Sequence, residues 1–210
     1  MHAEAQYMTK IILVSADKEI AELLLSIPDF ELIGFVDPDT NTNLWEVKYL
    51  GDDQNLLEHV SLDSECRVAL ALDPPKLKQA LLRKISRDKF TSVVSPRAVI
   101  SPHSEIDIGS ILQGNVEVCA DSRVGAFCKL NFGVFIHHDC TIGKFVTLAP
   151  GVRLLGRVTV GEASFIGANA TILPRVKVGR NVVVGAGAVV TKDVPDDCVV
   201  AGVPARILKK

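Results

Sequence analysis

Residues 136–166 read IHHDCTIGKFVTLAPGVRLLGRVTVGEASFI, with an aliphatic side chain at every sixth position. The same frame extends from this segment in both directions and holds without a slip over seventeen positions. These are Val94, Ile100, Ile106, Leu112, Val118, Val124, Leu130, Ile136, Ile142, Leu148, Leu154, Val160, Ile166, Ile172, Val178, Val184 and Val190. A fixed period of six residues is typical of a parallel β-helix, in which three units close one triangular coil. Seventeen units predict between five and six coils.

Small or β-branched side chains occupy a second set of positions, four residues after the aliphatic ones. They are Ala98, Ser104, Ser110, Val116, Ser122, Cys128, Val134, Cys140, Val146, Val152, Val158, Ser164, Ala170, Val176, Val182 and Ala188. In a triangular coil this residue also faces inward, but it lies near a corner where only a small side chain fits. Glycine is frequent directly after the aliphatic residue, where the chain bends and a Cβ atom would be unfavourable.

The first 91 residues follow a different pattern, in which apolar runs alternate with amphipathic segments. Strands are predicted at 11–14, 31–36 and 67–72, helices at 17–26, 53–60 and 74–87, and a hairpin-like segment at 47–51. Strand, helix and strand within a short segment form a βαβ unit, which implies parallel pairing. We therefore predict a Rossmann-like α/β domain over 1–91, a β-helix over 92–191, and a segment over 192–210 that closes the end of the prism.

The bulk composition excludes several classes of protein. The net charge of −2 gives no reason to expect nucleic acid or an anionic membrane as a partner. No apolar run approaches the roughly 20 residues of a membrane-spanning helix, and the first ten residues lack the apolar core of a signal peptide, so a cytoplasmic protein is expected. The five cysteines have no zinc-type spacing. Cys128 and Cys140 fall on the small inward positions, which favours reduced core residues over a redox role, and no metal site is predicted.

One histidine stands out as a candidate base. His138 falls two residues after the inward Ile136, where side chains point out of the prism. An imidazole titrates near neutral pH and can accept a proton there, and the neighbouring Asp139 can orient the ring and stabilise the imidazolium. The alternative is a solvated corner with two adjacent histidines, His137 and His138, and no chemistry. Metal chelation is disfavoured, because neighbours on an extended strand point in opposite directions.

Two segments carry a resemblance to a known family. Asn131 followed by Ile136-His137-His138-Asp139-Cys140-Thr141-Ile142-Gly143 resembles the N-x(6)-H-[DE]-C-x-I-G segment of one group of left-handed β-helix acyltransferases. That group contains the sialic acid O-acetyltransferases and the N-acetyltransferases of nucleotide-linked 4-amino sugars. The ending Ala201-Gly202-Val203-Pro204-Ala205-Arg206 is similar to the G-x-P-A-[KR] close of the same family. The left hand of the β-helix is implied by this resemblance alone.

The resemblance implies roles for individual residues. His138 corresponds to the catalytic base and Asp139 to the acid that raises its basicity, while Asn131 corresponds to an asparagine near the acceptor, with a plain corner asparagine as the alternative. Gly156 corresponds to a glycine whose N–H can serve as an oxyanion donor for the thioester carbonyl of acetyl-CoA. Positions that contact the cofactor are matched by Ala168 and Ala186, whose main chains face the pantetheine arm, and by Thr147, which replaces a family histidine.

The N-terminal domain departs from the family at its binding loop. Relatives have a Gly-rich turn after the first strand, where the backbone approaches the phosphates of a nucleotide-linked sugar. This chain has Val14-Ser15-Ala16-Asp17-Lys18-Glu19 at that place, and Leu72-Asp73-Pro74-Pro75 lacks the glycine that usually follows the third strand. Asp37, at the end of the second strand, keeps the place of a ribose or base contact.

The expected function is an acetyl-CoA-dependent acetyltransferase acting on the amine of a nucleotide-linked 4-amino sugar, for surface glycan synthesis. O-acetylation of a free sugar such as sialic acid and a non-catalytic structural or regulatory β-helix remain as alternatives. Relatives form trimers with the coenzyme between subunits, so a homotrimer is expected. Its apolar contacts are predicted from outward-facing Phe132, Phe135, Phe145, Leu155 and Leu173.

Overall fold

The computed structural model describes residues 8–39 and 42–209. Contacts between Cα atoms divide the chain into two compact units, Met1–Thr91 and Ser92–Lys210. Within the described residues no helix has both the length and the apolar composition needed to cross a membrane.

The N-terminal unit is built on a three-stranded parallel sheet. Its elements are β1 Thr9–Val14, α1 Lys18–Leu25, β2 Phe30–Val36, α2 Asp53–Leu62, β3 Arg67–Leu70, α3 Pro75–Leu82 and a 3-10 helix at Arg87–Lys89. The strand order is β2-β1-β3, with β1 in the centre. Ile11, Ile12 and Leu13 are fully buried because β1 is flanked on both edges. The Rossmann-like α/β character predicted for this region is confirmed.

Two elements of this unit differ from the sequence prediction. Helix α3 ends at Leu82 rather than near Arg87, because the chain turns to bury Ile85, whose N–H donates to the carbonyl of Leu81. The segment predicted as a hairpin instead runs parallel to β2, with Tyr49 opposite Phe35. It covers part of the outer edge of β2, which would otherwise leave backbone groups unpaired.

The C-terminal unit is a parallel β-helix of seventeen two-residue strands, as the period predicts. They are β4 Val93–Val94, β5 Val99–Ile100, β6 Glu105–Ile106, β7 Ile111–Leu112, β8 Glu117–Val118, β9 Arg123–Val124, β10 Lys129–Leu130, β11 Phe135–Ile136, β12 Thr141–Ile142, β13 Thr147–Leu148, β14 Arg153–Leu154, β15 Thr159–Val160, β16 Phe165–Ile166, β17 Thr171–Ile172, β18 Lys177–Val178, β19 Val183–Val184 and β20 Val189–Val190. Every third strand joins the same sheet, so the three faces of the prism are three parallel sheets.

Stacking repeats every eighteen residues, which is one coil. Phe135 pairs with Arg153 and Ile136 with Leu154, and the same offset holds for the other coil-to-coil pairs. The inward aliphatic residues are buried throughout the middle of the prism. Val94 is 37% exposed, because the strands of the first coil have neighbours on one side only.

A left-handed backbone conformation recurs at every corner from residue 109 to residue 187. The residues with positive φ are Gly109, Asn115, Asp121, Phe127, Gly133, Asp139, Phe145, Gly151, Arg157, Ala163, Asn169, Arg175, Asn181 and Gly187. Ordinary L-residues adopt this conformation at a cost of about 1–2 kcal/mol, so the coil-to-coil hydrogen bonds must hold them in it. Phe145 is one of these residues. It stacks on Phe127 outside the aliphatic core of the prism and is only 8% exposed, so, unlike the prediction, it offers little apolar surface to a partner.

The end of the chain adds two strands to the largest sheet. β21 Val199–Ala201 lies parallel to β19, and β22 Arg206–Lys209 returns antiparallel to β21. The predicted final strand at Val199–Val200 is confirmed. β22 in the closing segment is therefore the edge strand of that sheet. The last residue of the predicted segment, residue 210, lies outside the described residues.

Candidate active site

The candidate base lies at one corner of the prism, which we call the base corner. It consists of the turns 119–122, 137–140, 155–158 and 173–176, which lead from the six-stranded sheet containing β11 to the five-stranded sheet containing β12. His138 is in the second of these turns and points outward, with 46% of its side chain exposed. The imidazole is thus solvent-accessible and attached to a rigid stretch of backbone.

Asp139 holds one nitrogen of the His138 ring. The distance from His138 Nδ1 to Asp139 Oδ2 is 2.6 Å, and Arg157 Nε lies 3.5 Å from the same oxygen. The hydrogen bond from His138, together with the charge of Arg157, holds the pKa of the Asp139 carboxyl below its usual range. The carboxylate therefore remains ionised at neutral pH, and as a pure acceptor it assigns the proton of the neutral ring to Nδ1. Nε2 is left with a lone pair for an incoming proton.

Gly156 makes room for the imidazole. It lies eighteen residues after His138, which places it one coil further along the same corner. A Cβ atom on this glycine would lie 2.9 Å from His138 Nε2 and 3.0 Å from Cε1, so any other residue would displace the ring. Within the described residues, the N–H of Gly156 has no hydrogen-bond acceptor. The base and an amide donor without an acceptor therefore lie in adjacent turns of one corner, and acyl transfer needs both kinds of group.

His137 and its neighbours form a stack beside the base. The ring centroids of His137 and His138 are 4.4 Å apart, and those of His137 and Phe135 are 5.6 Å apart. The guanidinium of Arg153 lies over the Phe135 ring at 5.6 Å. Nδ1 of His137 is buried without a hydrogen-bond partner in the described part of the chain. His137 thus packs against the His138 ring and restricts its movement.

The residues predicted to contact the coenzyme lie at a different corner, which we call the alanine corner. It consists of the turns 131–134, 149–152, 167–170 and 185–188. These turns lead into the strands of the six-stranded sheet, whereas the base corner follows those strands. Ala168 and Ala186 occupy equivalent places one coil apart, and among the described residues neither amide N–H has a partner. Thr147 is in β13, which precedes this corner, and is 3% exposed. The prism therefore does not bring these residues together with His138.

Asn131 also belongs to the alanine corner. Its side-chain amide donates to the carbonyl of Leu148 at 2.8 Å. This bond supports the interpretation as a corner asparagine and leaves the second N–H of the amide and the side-chain oxygen for an acceptor molecule.

Comparisons with known proteins also indicate a transferase. Residues 157–192 match the family model described as bacterial transferase hexapeptide (six repeats). A His→Asn mutant of perosamine N-acetyltransferase from Caulobacter crescentus, solved with CoA and GDP-perosamine, is 30% identical and superposes with a TM-score of 0.89 over 96% of this chain and 97% of that one. The chain belongs to the left-handed β-helix sugar acetyltransferases of the hexapeptide-repeat family.

Two further structures of this acetyltransferase family are similar over nearly their whole length. The acetyltransferase domain of PglB from Neisseria gonorrhoeae, in complex with acetyl coenzyme A, is 29% identical, with a TM-score of 0.89 over 96% of this chain and 100% of that domain. WeeI from Acinetobacter baumannii is 28% identical, with a TM-score of 0.80 over 95% and 100%. No curated protein matches the chain in sequence.

Sequence reasoning missed one residue of this acetyltransferase site. Arg157, the ion-pair partner of Asp139, is eighteen residues beyond it and occupies the same turn position in the next coil. The coil length was available from the period, so adding eighteen to each candidate position would have found this arginine.

Among the described residues there is no cluster of three or more side chains suited to a metal ion.

The carboxylate of Asp37 in the N-terminal unit accepts two hydrogen bonds from backbone N–H groups. Its Oδ2 accepts the N–H of Ala16 at 2.8 Å, and its Oδ1 accepts the N–H of Asp39 at 2.9 Å. Asp17 caps α1 through a hydrogen bond from the N–H of Ile20 to Oδ1. Two carboxylates thus accept amide donors at the carboxyl end of the sheet, where the family resemblance predicts a Gly-rich turn.

Proposed function

We propose that this protein transfers the acetyl group of acetyl-CoA to the amine of a nucleotide-linked 4-amino sugar. The observation that carries the proposal is the base corner, where the ring of His138 lies against Gly156 and the N–H of that glycine has no acceptor among the described residues. The similarity to a perosamine N-acetyltransferase solved with CoA and GDP-perosamine supports the choice of acceptor. Synthesis of a surface glycan is the role we propose for the product, with the enzyme acting in the cytoplasm.

The chemistry follows from the two nitrogen groups. As the amine nitrogen attacks the carbonyl carbon, His138 Nε2 takes up its proton, and Asp139 stabilises the resulting imidazolium through Nδ1. The N–H of Gly156 donates to the carbonyl oxygen as negative charge develops on it. The C–S bond then breaks, and the proton held by His138 neutralises the departing thiolate. No covalent enzyme intermediate is needed.

The choice of acceptor depends on the N-terminal unit, where this chain lacks the Gly-rich turn of the family. Asp17 and Glu19 place negative charge at the start of α1, beside the loop that would meet a diphosphate, and two such charges oppose it by roughly 1 kcal/mol each at partly exposed distances. This observation favours the second candidate, O- or N-acetylation of a sugar that carries no nucleotide. The persistence of the three-stranded parallel sheet and of Asp37 at the end of β2 favours the nucleotide sugar.

A substrate panel decides between the two acceptors. We expect one 4-amino sugar linked to UDP, GDP, dTDP or CMP to be acetylated, with CoA release followed by a thiol reagent and saturable binding measured by calorimetry. Free amino sugars and free sialic acids serve as the matched nucleotide-free set. Turnover of a free sugar, with no heat or turnover from any nucleotide sugar, would contradict the proposed acceptor. Absence of acetyl-CoA binding would contradict the acetyltransferase assignment of this chain.

We further propose that the active site is completed by a neighbouring subunit in a homotrimer. The base corner and the alanine corner lie on opposite edges of one sheet, so a coenzyme contacting Ala168 and Ala186 of one chain can reach the base of an adjacent one. Phe132, at the alanine corner, is 46% exposed, and Leu155 is half-buried at the base corner. Such apolar groups on a rigid face favour burial against a second copy.

Light scattering tests this assembly. We expect a mass about three times 22.7 kDa at assay concentration. The change Phe132→Asp should lower that mass and the turnover together, since it places a charge in the proposed interface. A monomer mass for the fully active wild-type enzyme would exclude the shared site.

A further inference from the structure

Buried serines at the small inward positions of the β-helix each make two hydrogen bonds to the backbone of the next coil, an arrangement that we call a clamp. The hydroxyl of Ser122 donates to the carbonyl of His137 at 2.8 Å and accepts the N–H of Cys140 at 3.1 Å. Ser110 makes the same two bonds, to the carbonyl of Gly125 at 3.0 Å and from the N–H of Cys128 at 3.1 Å. Both serines are 0% exposed, so no water can replace these bonds without rearrangement of the coil.

Each clamp continues into the next coil through a cysteine. The thiol of Cys140 donates to the carbonyl of Leu155 at 3.2 Å, and that of Cys128 to the carbonyl of Gly143 at 3.1 Å. Burial raises the pKa of the Cys140 thiol, which therefore remains protonated and able to donate. Two serine–cysteine pairs, twelve residues apart in sequence, thus make nearly identical contacts.

The two serine–cysteine pairs differ in the turns that they bind. Ser122 binds the residues on either side of His138 and Asp139, since its partners are the carbonyl of His137 and the N–H of Cys140. Cys140 then binds the carbonyl that immediately precedes Gly156. The Ser110 pair holds the turns at residues 125–128 and 143, which contain no side chain of the candidate site.

We propose that Ser122 and Cys140 are positioning residues for the base, acting through the backbone on His138 and Gly156. The proposal rests on the acetyltransferase function proposed above. His138 and Asp139 lie between the two groups that bind Ser122, so loss of these bonds removes two of the restraints on the turn. A displacement of about 1 Å between reacting groups costs up to about 10² in rate.

The Ser110 pair provides a matched control. Ser122→Ala and Ser110→Ala remove equivalent buried bonds, so we expect similar decreases in melting temperature. We expect kcat to fall about ten- to a hundred-fold for Ser122→Ala and less than about twofold for Ser110→Ala, which leaves the turn of the base intact. Ser122→Cys should recover most of the lost kcat, because Cys128 and Cys140 show that a thiol makes the same contacts in this column. Equal kcat losses for the two alanine variants would overturn the proposal.

A second measurement separates this proposal from the proposed function. In protein labelled with ¹³C-histidine, the His138 Cε1 resonance is assigned from its loss in His138→Asn and followed from pH 5 to 8. We expect Ser122→Ala to change the chemical shift and titration midpoint of this resonance, and Ser110→Ala to leave both unchanged. An unchanged His138 resonance in Ser122→Ala would overturn the positioning role, even if no acceptor is ever turned over. If the serine variants do not fold, the Cys140→Ala and Cys128→Ala pair, which removes the equivalent thiol bonds to Leu155 and Gly143, gives the same comparison.

Discussion

His138→Ala lowers kcat by about 10²–10⁴ and leaves the folded structure unchanged. A positioned base supplies a factor of this size in the transition state. The side chain is almost half exposed and contributes no core packing, so the melting temperature should change little. The KM for acetyl-CoA should also change little, because the base acts on the acceptor amine.

The control for this variant is His103→Ala. His103 is an exposed histidine in the turn 101–104, on the same edge of the prism but two coils before Asp139, and its removal should leave kcat unchanged. Steady-state kinetics at saturating acetyl-CoA measures both variants. Near-normal turnover by His138→Ala would show that another group accepts the proton.

Gly156→Ala lowers kcat by about 10² through the added methyl group. The new Cβ would lie 2.9 Å from His138 Nε2, and the imidazole is the flexible partner in this contact, so the ring must move away from its productive place. The backbone of Gly156 is not in the left-handed region, so alanine introduces no backbone strain. A crystal structure of the variant should show a displaced His138 ring on an otherwise unchanged coil.

Gly114→Ala is the matched control for this substitution. Gly114 occupies the same position of the six-residue unit, and its added Cβ would lie 2.9 Å from the Arg97 guanidinium, again the end of a flexible side chain. The added Cβ also lies 3.1 Å from the Phe132 ring, so light scattering must first show an unchanged mass. The change is outside the base corner, and we then expect kcat to remain within about twofold of the wild type. A similar loss of kcat in both variants would mean that Gly156 acts through the general stability of the coil.

The repeat carried most of the fold prediction, because one physical rule applies at every sixth residue. Ile136, Leu154 and Ile172 are buried as predicted, since each fills the same prism. The rule is weaker where that environment ends. Val94 has the predicted side chain but lacks a neighbouring coil on one side, and Phe145, at a left-handed corner, is covered because it stacks on Phe127.

The candidate site was only partly accessible from the sequence. His138 and Asp139 are adjacent, so their pairing follows from local geometry. The contacts of Gly156 and Arg157 arise from stacking between coils, which a reading along the chain does not display. The Asp37 interactions depend on the path of the loop after β1, and no periodic rule governs that loop.

The eighteen-residue stacking has a consequence for how such enzymes can change in length during evolution. Every contact of the base corner described above joins residues within the interval 122–157. Insertion or loss of one whole coil outside this interval preserves the register of all these contacts, since each coil interacts with its neighbours alone. Insertion or loss of a single residue between His138 and Gly156 moves the glycine to a different face of the corner. The family can therefore vary its coil number freely while the spacing across the site remains constant.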